Sequence, residues 1–381
     1  MNYTTMKLTP DIIGHIVEYS GDRVALWALR EYMDPRLYNN LRLYKRRRLI
    51  YGEVQSGKTA SIIDAIQNPL YEGLYKIVIL QNSILVMNQY LQRLRSAGID
   101  FQIVNRKTQT IEKDVILLMN NKSRYARFLK AFNIDRPSKK YVLFMDESDS
   151  YSRGQHPLAT NSVHEYYVTA TPFHKLYKSP GFFHTIQRIK TSQQYKGLDN
   201  ITIEYNDASV TTIVHQFYEE VSKRGEGEKG MMLINAFQKV TEMVDIGLEL
   251  SNTFKEIVFV TLNCERKIIF RGKSRKLKQQ PISELIDLLN DKGEKYIVFI
   301  ANRMSLRGLS YCSSDYTRHL THQYSDLSCV SVTSALQRMR LFGKYIDNHP
   351  IKLIVPRSNE KMIEKMFDNL NLKFEINREL S

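Results

Sequence analysis

The 381-residue sequence is short of cysteine, of acidic charge and of long apolar runs, and each shortage closes off a class of protein. Its three cysteines, Cys264, Cys312 and Cys329, are an odd number without C-x-x-C spacing. They argue against a disulfide framework or a cysteine-bound structural zinc, and for a reducing compartment. No apolar run approaches the ~20 residues that cross a bilayer. The opening M-N-Y-T-T-M-K-L-T-P lacks the apolar core of a secretory leader, so a soluble intracellular protein without membrane contact is expected. His319 and His322 stand three apart with no ligand cluster around them, which favours a polar loop or helix face over a metal site. Acids number 40 against 55 Lys and Arg, a net charge of +15. Such a surplus suits a polyanionic partner, although solubility alone could also account for it.

What is present begins with Gly52-Glu53-Val54-Gln55-Ser56-Gly57-Lys58-Thr59, an unbroken G-x-x-x-x-G-K-T phosphate loop. Arg48–Tyr51 before it reads as a short buried strand, and Ala60–Gln67 after it as an amphipathic helix, the context the motif requires. Gly52 and Gly57 let the backbone wrap so that successive N–H groups and the helix N-terminus face phosphate oxygens. Lys58 would reach the β- and γ-phosphates, and the Thr59 hydroxyl would sit on Mg²⁺.

The rest of the chain alternates apolar strands with helical patterns. Strands are expected at 76–80, 101–104, 114–119, 141–145 and 166–170, and helices at 84–95 and 123–132. A second series has strands at 231–235, 256–261, 296–301 and 351–355, with helices at 240–250, 282–289, 334–342 and 360–369. This βαβ rhythm predicts an α/β protein of two tandem domains, each a mainly parallel sheet with helices on both faces. The expected division is a helical N-terminal segment over 1–45, a first domain over 46–200 and a second over 201–381. The basic run Lys45–Arg48 could be a phosphate contact, a localisation signal or a solvated helix end. Residues 173–200 interleave bases with aromatics and read either as a surface that stacks a single strand or as packing over a domain edge. Residues 266–278, with Arg271, Lys273, Arg275 and Lys276, read as a phosphate-contacting loop or a flexible charged loop.

Asp146-Glu147-Ser148-Asp149 follows the apolar strand 141–145, at the ligand-binding edge of a parallel sheet. Asp146 would hold Mg²⁺, mostly through water, and Glu147 could orient and deprotonate an attacking water. Thr169-Ala170-Thr171-Pro172 ends the next strand, and its hydroxyls could bond the acidic cluster. Gln337 and Arg340 lie three apart on the helix expected over 334–342. That would place Arg340 as an arginine finger braced by Gln337 or Arg338; surface arginines on a cationic helix are the plain alternative.

Taken in order, G-x-x-x-S-G-K-T, D-E-S-D, T-A-T-P, S-L-R-G-L-S and Q-R-M-R-L-F-G resemble the motif series of superfamily-2 helicases. The resemblance spans residues 41–345. It implies two RecA-like domains with ATP and Mg²⁺ in the cleft between them, DNA or RNA across both, and helicase or translocase activity. By that resemblance, Arg307 and Gly308 join Gly52–Thr59 in binding ATP. Gln337 and Arg340 join Lys58, Asp146 and Glu147 in catalysis, and Thr169 and Thr171 couple the domains. Gln81 and Asn82 fall where the family contacts the strand. Two departures stand out. Lys45 occupies the place of a usual glutamine in the adenine-recognition motif, and Arg340-Leu341 replaces Gly-Arg in the last motif. The latter is closer to Q-x-x-R-x-F-G of helicase-like ATPases associated with endonucleases, although no nuclease constellation is visible in this chain. Alternatives are a nucleic-acid-stimulated ATPase that does not unwind, acting as the motor of a larger complex whose protein partner supplies specificity or nuclease activity, and a non-catalytic nucleic-acid-binding scaffold.

Overall fold

The computed structural model describes residues 46–132, 139–150, 156–171, 182–225, 227–237, 239–262, 267–270, 273–276, 280–302, 309–346 and 350–368. The helices expected over 1–45, and Arg271, Arg307 and Gly308, lie outside them. The described chain forms two compact units. One takes the described parts of Met1–Tyr51, Gly57–Asn82 and Arg93–Ile189; the other takes those of Gly52–Ser56, Ser83–Gln92 and Lys190–Ser381.

The first unit is built on β1 (Arg46–Tyr51), β2 (Tyr75–Leu80), β3 (Gln102–Ile103), β4 (Val115–Met119), β5 (Tyr141–Asp146), β6 (His164–Thr169) and β7 (Thr185–Arg188). They form one sheet in the order β3-β4-β2-β5-β6-β1-β7. Every pairing is parallel. β5 is buried along its whole length and β2 along all but its first residue, which is why they read as unbroken apolar runs rather than alternating ones. α1 (Lys58–Ile66) follows β1 and α3 (Lys122–Phe132) follows β4; α2 (Ile84–Ser96) follows β2 and through Gln92 belongs to the second unit. α3 buries Phe128 and Phe132, one turn apart and stacked at 4.9 Å, and Phe132 meets the edge of Tyr141 on β5 at 5.8 Å.

Two sequence readings in this unit are corrected. Arg46–Arg48 of the basic run is not a helix end: it is the start of β1, inserted between β6 and β7. Arg47 Nε lies 3.5 Å from Glu165, its guanidinium sits 4.6 Å over Phe182, and that of Arg48 lies 5.7 Å from the Tyr166 ring centre. Phe182 and Phe183 pack edge-on against Tyr167 of β6 at 5.8 and 5.3 Å. Of the two readings of 173–200, aromatic packing over a domain edge therefore holds for these residues, and β7 is a strand that the patterning missed.

The second unit contains β8 (Tyr195–Lys196), β9 (Thr202–Tyr205), α4 (Val210–Ser222), β10 (Gly230–Phe237), α5 (Val240–Thr253), β11 (Ile257–Leu262), β12 (Lys267–Phe270) and β13 (Lys273–Lys276). It continues with α6 (Ile282–Asp291), β14 (Tyr296–Asn302), β15 (His322–Ser325), α7 (Val332–Arg338), β16 (Gly343–Lys344) and β17 (Lys352–Val355). Its sheet runs β13-β12-β11-β14-β10-β15-β17-β9. The six strands from β11 to β9 are parallel, and β12 and β13 add an antiparallel hairpin at one edge. β8 and β16 pair separately as an antiparallel ribbon. The described part of 266–278 is thus strand rather than loop, with Lys273 and Arg275 exposed on the outermost strand. Cations on an edge strand are a common defence against edge-to-edge pairing.

The helix expected over 334–342 is shorter. α7 ends at Arg338, and Met339 turns extended with φ −69° and ψ 101°. Gln323, fully buried on β15, explains the stop. Its carbonyl oxygen accepts from the amides of Arg340 (2.8 Å) and Leu341 (3.2 Å), and its amide group donates to the Arg338 carbonyl (2.9 Å). A side chain has taken over backbone groups that would otherwise continue the helix.

Candidate active site

Because all seven strands of the first sheet run parallel, their C-terminal ends share one edge, and the sequence motifs lie there. Gly52–Gly57 leaves β1, Gln81-Asn82 leaves β2, Asp146 ends β5 and Thr169 ends β6. β5, β6 and β1 are consecutive in the sheet, so the acidic turn, the threonine turn and the phosphate loop leave neighbouring strand ends.

Of the two glycines in the phosphate loop, only Gly57 has a positive φ. Gly57 caps α1 in the left-handed region at φ 93°. A side chain there would meet no steric wall but would carry the strain of positive φ. Gln55 also has positive φ, at 60°. Left-handed residues in such a loop favour the kind of main-chain concavity that anions occupy; the Ser56 amide between them donates to the Glu53 carbonyl at 3.1 Å. Lys58, first residue of α1, is 7% exposed, and Thr59 beside it is partly buried.

Asp146 is 8% exposed. Burial, then the adjacent Glu147 carboxylate, push it up to about 7, against the pull of Lys58. Neighbouring carboxylates and the Thr59 hydroxyl are oxygen donors of the kind that a hard divalent cation takes. The turn is tight: Glu147 has φ 51°, and its amide donates back to Asp146 Oδ1 at 3.1 Å. Glu147 Oε2 is buried and has no hydrogen-bond partner among the described residues. A carboxylate oxygen left in that condition is suited to receive a proton-bearing ligand.

The last acid of the motif is fully engaged. Thr169 Oγ1 donates to Asp149 Oδ1 at 2.8 Å, and Thr171 Oγ1 donates to Asp149 Oδ2 at 2.9 Å. The Thr171 amide in turn donates to Thr169 Oγ1 at 3.0 Å. Both threonines are buried, so the end of β6 is locked to the acidic turn by a three-bond knot. Sequence reading anticipated the hydroxyls but not that Asp149 would receive both.

In the second unit, Gln337 and Arg340 are buried at 1% and 4% exposure, which rules out the surface-arginine alternative for position 340. The Arg340 guanidinium donates to the carbonyls of Leu309 (3.1 Å) and Gln337. Arg340 projects from the extended segment after α7, not from a helix face shared with Gln337. Gln323, which fixes that segment, carries no sequence signal: a glutamine in the strand H-Q-Y-S looks like any polar residue. Gln81 is partly buried and Asn82 exposed, its side-chain oxygen accepting from the Asn121 amide at 2.9 Å.

No family model and no curated protein sequence matches the chain. Solved structures do match. Dbp5 of S. cerevisiae bound to RNA and ADP BeF3 superposes with a TM-score of 0.55 at 12% identity, over 91% of this chain and 89% of that one. RecG bound to a three-way DNA junction gives 0.51 at 13%, over 95% of this chain and 46% of that one. The Mycobacterium smegmatis helicase Lhr bound to ssDNA and AMP-PNP gives 0.53 at 10%, over 91% and 48%. The chain therefore has the fold of tandem RecA-like helicase cores, two parallel α/β sheets with their helices. Among the described residues no helix is long and apolar enough to cross a membrane.

Proposed function

We propose that the protein is an ATP-dependent motor on nucleic acid, hydrolysing ATP to translocate along or remodel DNA or RNA. The observation that carries this reading is the first unit's sheet edge: left-handed Gly57 and buried Lys58 at the start of α1, with a buried Asp146 and a Glu147 oxygen without a partner among the described residues. The fold shared with structures holding nucleotide together with RNA or DNA supports it.

In this proposal the loop amides of Gly52–Thr59 cradle the phosphates and Lys58 neutralises the β- and γ-oxygens. Thr59 and Asp146 would hold Mg²⁺, which when bound supplies countercharge to the phosphate oxygens. Glu147 orients the attacking water and receives its proton as the new P–O bond forms and the bridge to the β-phosphate breaks. Arg340, held by Gln337 and Leu309, stabilises charge on the transferring group, and Arg307 and Gly308 complete the second unit's contribution. The Thr169–Thr171–Asp149 knot passes the state of the acidic turn to the end of β6. Gln81, Asn82 and the cations of the β12–β13 hairpin, with Arg271 and Lys276, contact the strand.

ATP turnover measured with no polymer, single-stranded DNA, duplex DNA and RNA at several salt concentrations tests the reading. Turnover stimulated by a polymer and weakened by salt is expected. Turnover indifferent to every polymer removes nucleic acid from the function, and stimulation without strand separation identifies a motor that does not unwind.

A further inference from the structure

The second unit holds a cavity of about 300 Å³, and Tyr345 in its wall donates to the carbonyl of Leu341 at 2.6 Å. Lys229, Thr321 and Ile351 in its wall immediately precede β10, β15 and β17. It therefore opens at the N-terminal edge of the sheet, opposite the edge where ligands of such folds usually sit.

Its electrostatics are unusual. Arg318 is 94% buried by its 6% exposure, and its guanidinium donates only to main-chain carbonyls: Glu294 (2.7 Å), Lys295 (2.9 Å) and Gly230 (3.5 Å). Its Nε has no partner among the described residues. Carbonyls orient a guanidinium without cancelling its charge; burial lowers Arg318 to about 10 against the pull of the Glu294 carboxylate, so it is a cation at neutral pH. Lys229, exposed at the rim, donates to the neutral side chain of Asn290 at 2.5 Å. Among the described residues Glu228 is the one carboxylate in the wall.

Beside the cavity runs a short ladder of rings. Lys196 Nζ lies 5.5 Å over Tyr345, Tyr345 meets His319 at 4.6 Å and 35°, and His319 meets Tyr316 at 6.4 Å. Tyr316, the outermost rung, is 48% exposed and has φ 63°, which a bulky residue seldom adopts. The loop holds it there. Asp315 accepts from Ser313 Oγ (2.5 Å) and the Thr317 amide (3.0 Å), the Tyr316 amide donates to Ser313 O (3.1 Å), and the Ser313 amide donates to Arg318 O (2.9 Å). An aromatic kept exposed by a strained and heavily tied turn is a pre-formed stacking platform rather than a chance exposure.

We propose that this cavity is a second, non-catalytic site for a nucleotide. Its phosphate is held by Lys229 and the charge of Arg318, and its base stacks on Tyr316. The volume suits one nucleotide and not a longer segment. The nucleotide can be free or can be the phosphorylated end of a strand, since both present the same phosphate and ring.

The test is calorimetric titration of the full chain saturated with ADP and Mg²⁺. Uridine 5′-monophosphate, uridine, inorganic phosphate, and single-stranded oligonucleotides with a 5′-phosphate or a 5′-hydroxyl serve as probes. Lys229→Ala and Tyr316→Asn are the variants; both positions are exposed, and asparagine tolerates positive φ. A phosphate-dependent binding event is expected that each variant weakens by about tenfold or more, while polymer-stimulated ATP turnover stays within about twofold of the parent. Binding of the mononucleotide marks a free ligand; binding restricted to the 5′-phosphorylated oligonucleotide marks a strand end. The proposal is overturned if no probe binds the parent, if both variants bind as the parent does, or if turnover falls in step with binding, which would make the cavity part of the motor's own track. Polymer-independent turnover in the parent would count against the motor reading alone.

Discussion

The three-bond knot at Asp149 makes a quantitative prediction. Thr171→Val removes one hydroxyl bonded to a carboxylate and keeps the side-chain volume. Hydrogen bonds to charged groups contribute about 1.5–3 kcal/mol, and because Asp149 is only partly buried the lower end of that range is expected. Thr169→Val should cost more, by about 1–3 kcal/mol, because it also strips the Thr171 amide of its acceptor. Amide hydrogen exchange of β5 and β6 peptides across a urea series reads the first unit separately from the second. In an Asp149→Ala background the acceptor is already gone, so Thr171→Val should then cost no more than about 0.5 kcal/mol. A Thr171→Val cost equal in the two backgrounds would refute the bond as described, and with it the idea that the acidic turn and the end of β6 move together.

Three further outcomes are expected. Gln323→Leu leaves the buried amides of Arg340 and Leu341 without an acceptor and should destabilise the second unit by about 2–4 kcal/mol in denaturant titration; ATP turnover should fall further than the unfolded fraction explains, because Arg340 is displaced. His156 accepts from the Leu158 amide through Nδ1 at 3.2 Å and lies 2.7 Å from the Tyr125 hydroxyl through Nε2. Burial holds it down to about 4. With a folded pKa below the unfolded value of about 6.5, the unfolded chain binds the extra proton, so stability is complete above about 6.5 and is lost as pH falls toward about 4, by at most ~3 kcal/mol. His156→Asn, which can still cap the turn at Leu158, should flatten that slope in exchange measurements on the first unit. Lys58→Ala should lower ATP turnover by about a hundredfold or more while circular dichroism and the unfolding midpoint stay near the parent's; turnover that survives would favour the scaffold reading.

Much of this architecture was legible because buried parallel strands must be apolar on both faces. Y-V-L-F-M and Y-I-V-F-I-A could hardly be anything else, and G-x-x-x-x-G-K-T demands its glycines for backbone reasons that hold in any fold. What escaped reading was structure specified from a distance. β7, β9 and β15 are short and mixed in polarity, and they exist because a neighbouring strand offers a partner. α4 was passed over although its buried Ile213, Val214, Phe217 and Val221 recur at helical spacing. The early end of α7 is imposed by Gln323, 15 residues before Arg338. The run R-R-R reads as solvent-seeking charge, yet Glu165, Phe182 and Tyr166 give Arg47 and Arg48 partners inside a sheet. Tyr316 carries no motif, and only its backbone angle and exposure mark it.

The most direct test of the central claim is single-turnover ATP hydrolysis by Arg340→Ala and Arg340→Lys with saturating single strand, with nucleotide affinity measured alongside. If both units lend charge to one reaction, each variant should hydrolyse about a thousandfold more slowly while binding ATP within a few-fold of the parent, and the lysine should not rescue. Hydrolysis within a few-fold of the parent in both variants would contradict the account and leave the first unit as the whole of the catalytic apparatus.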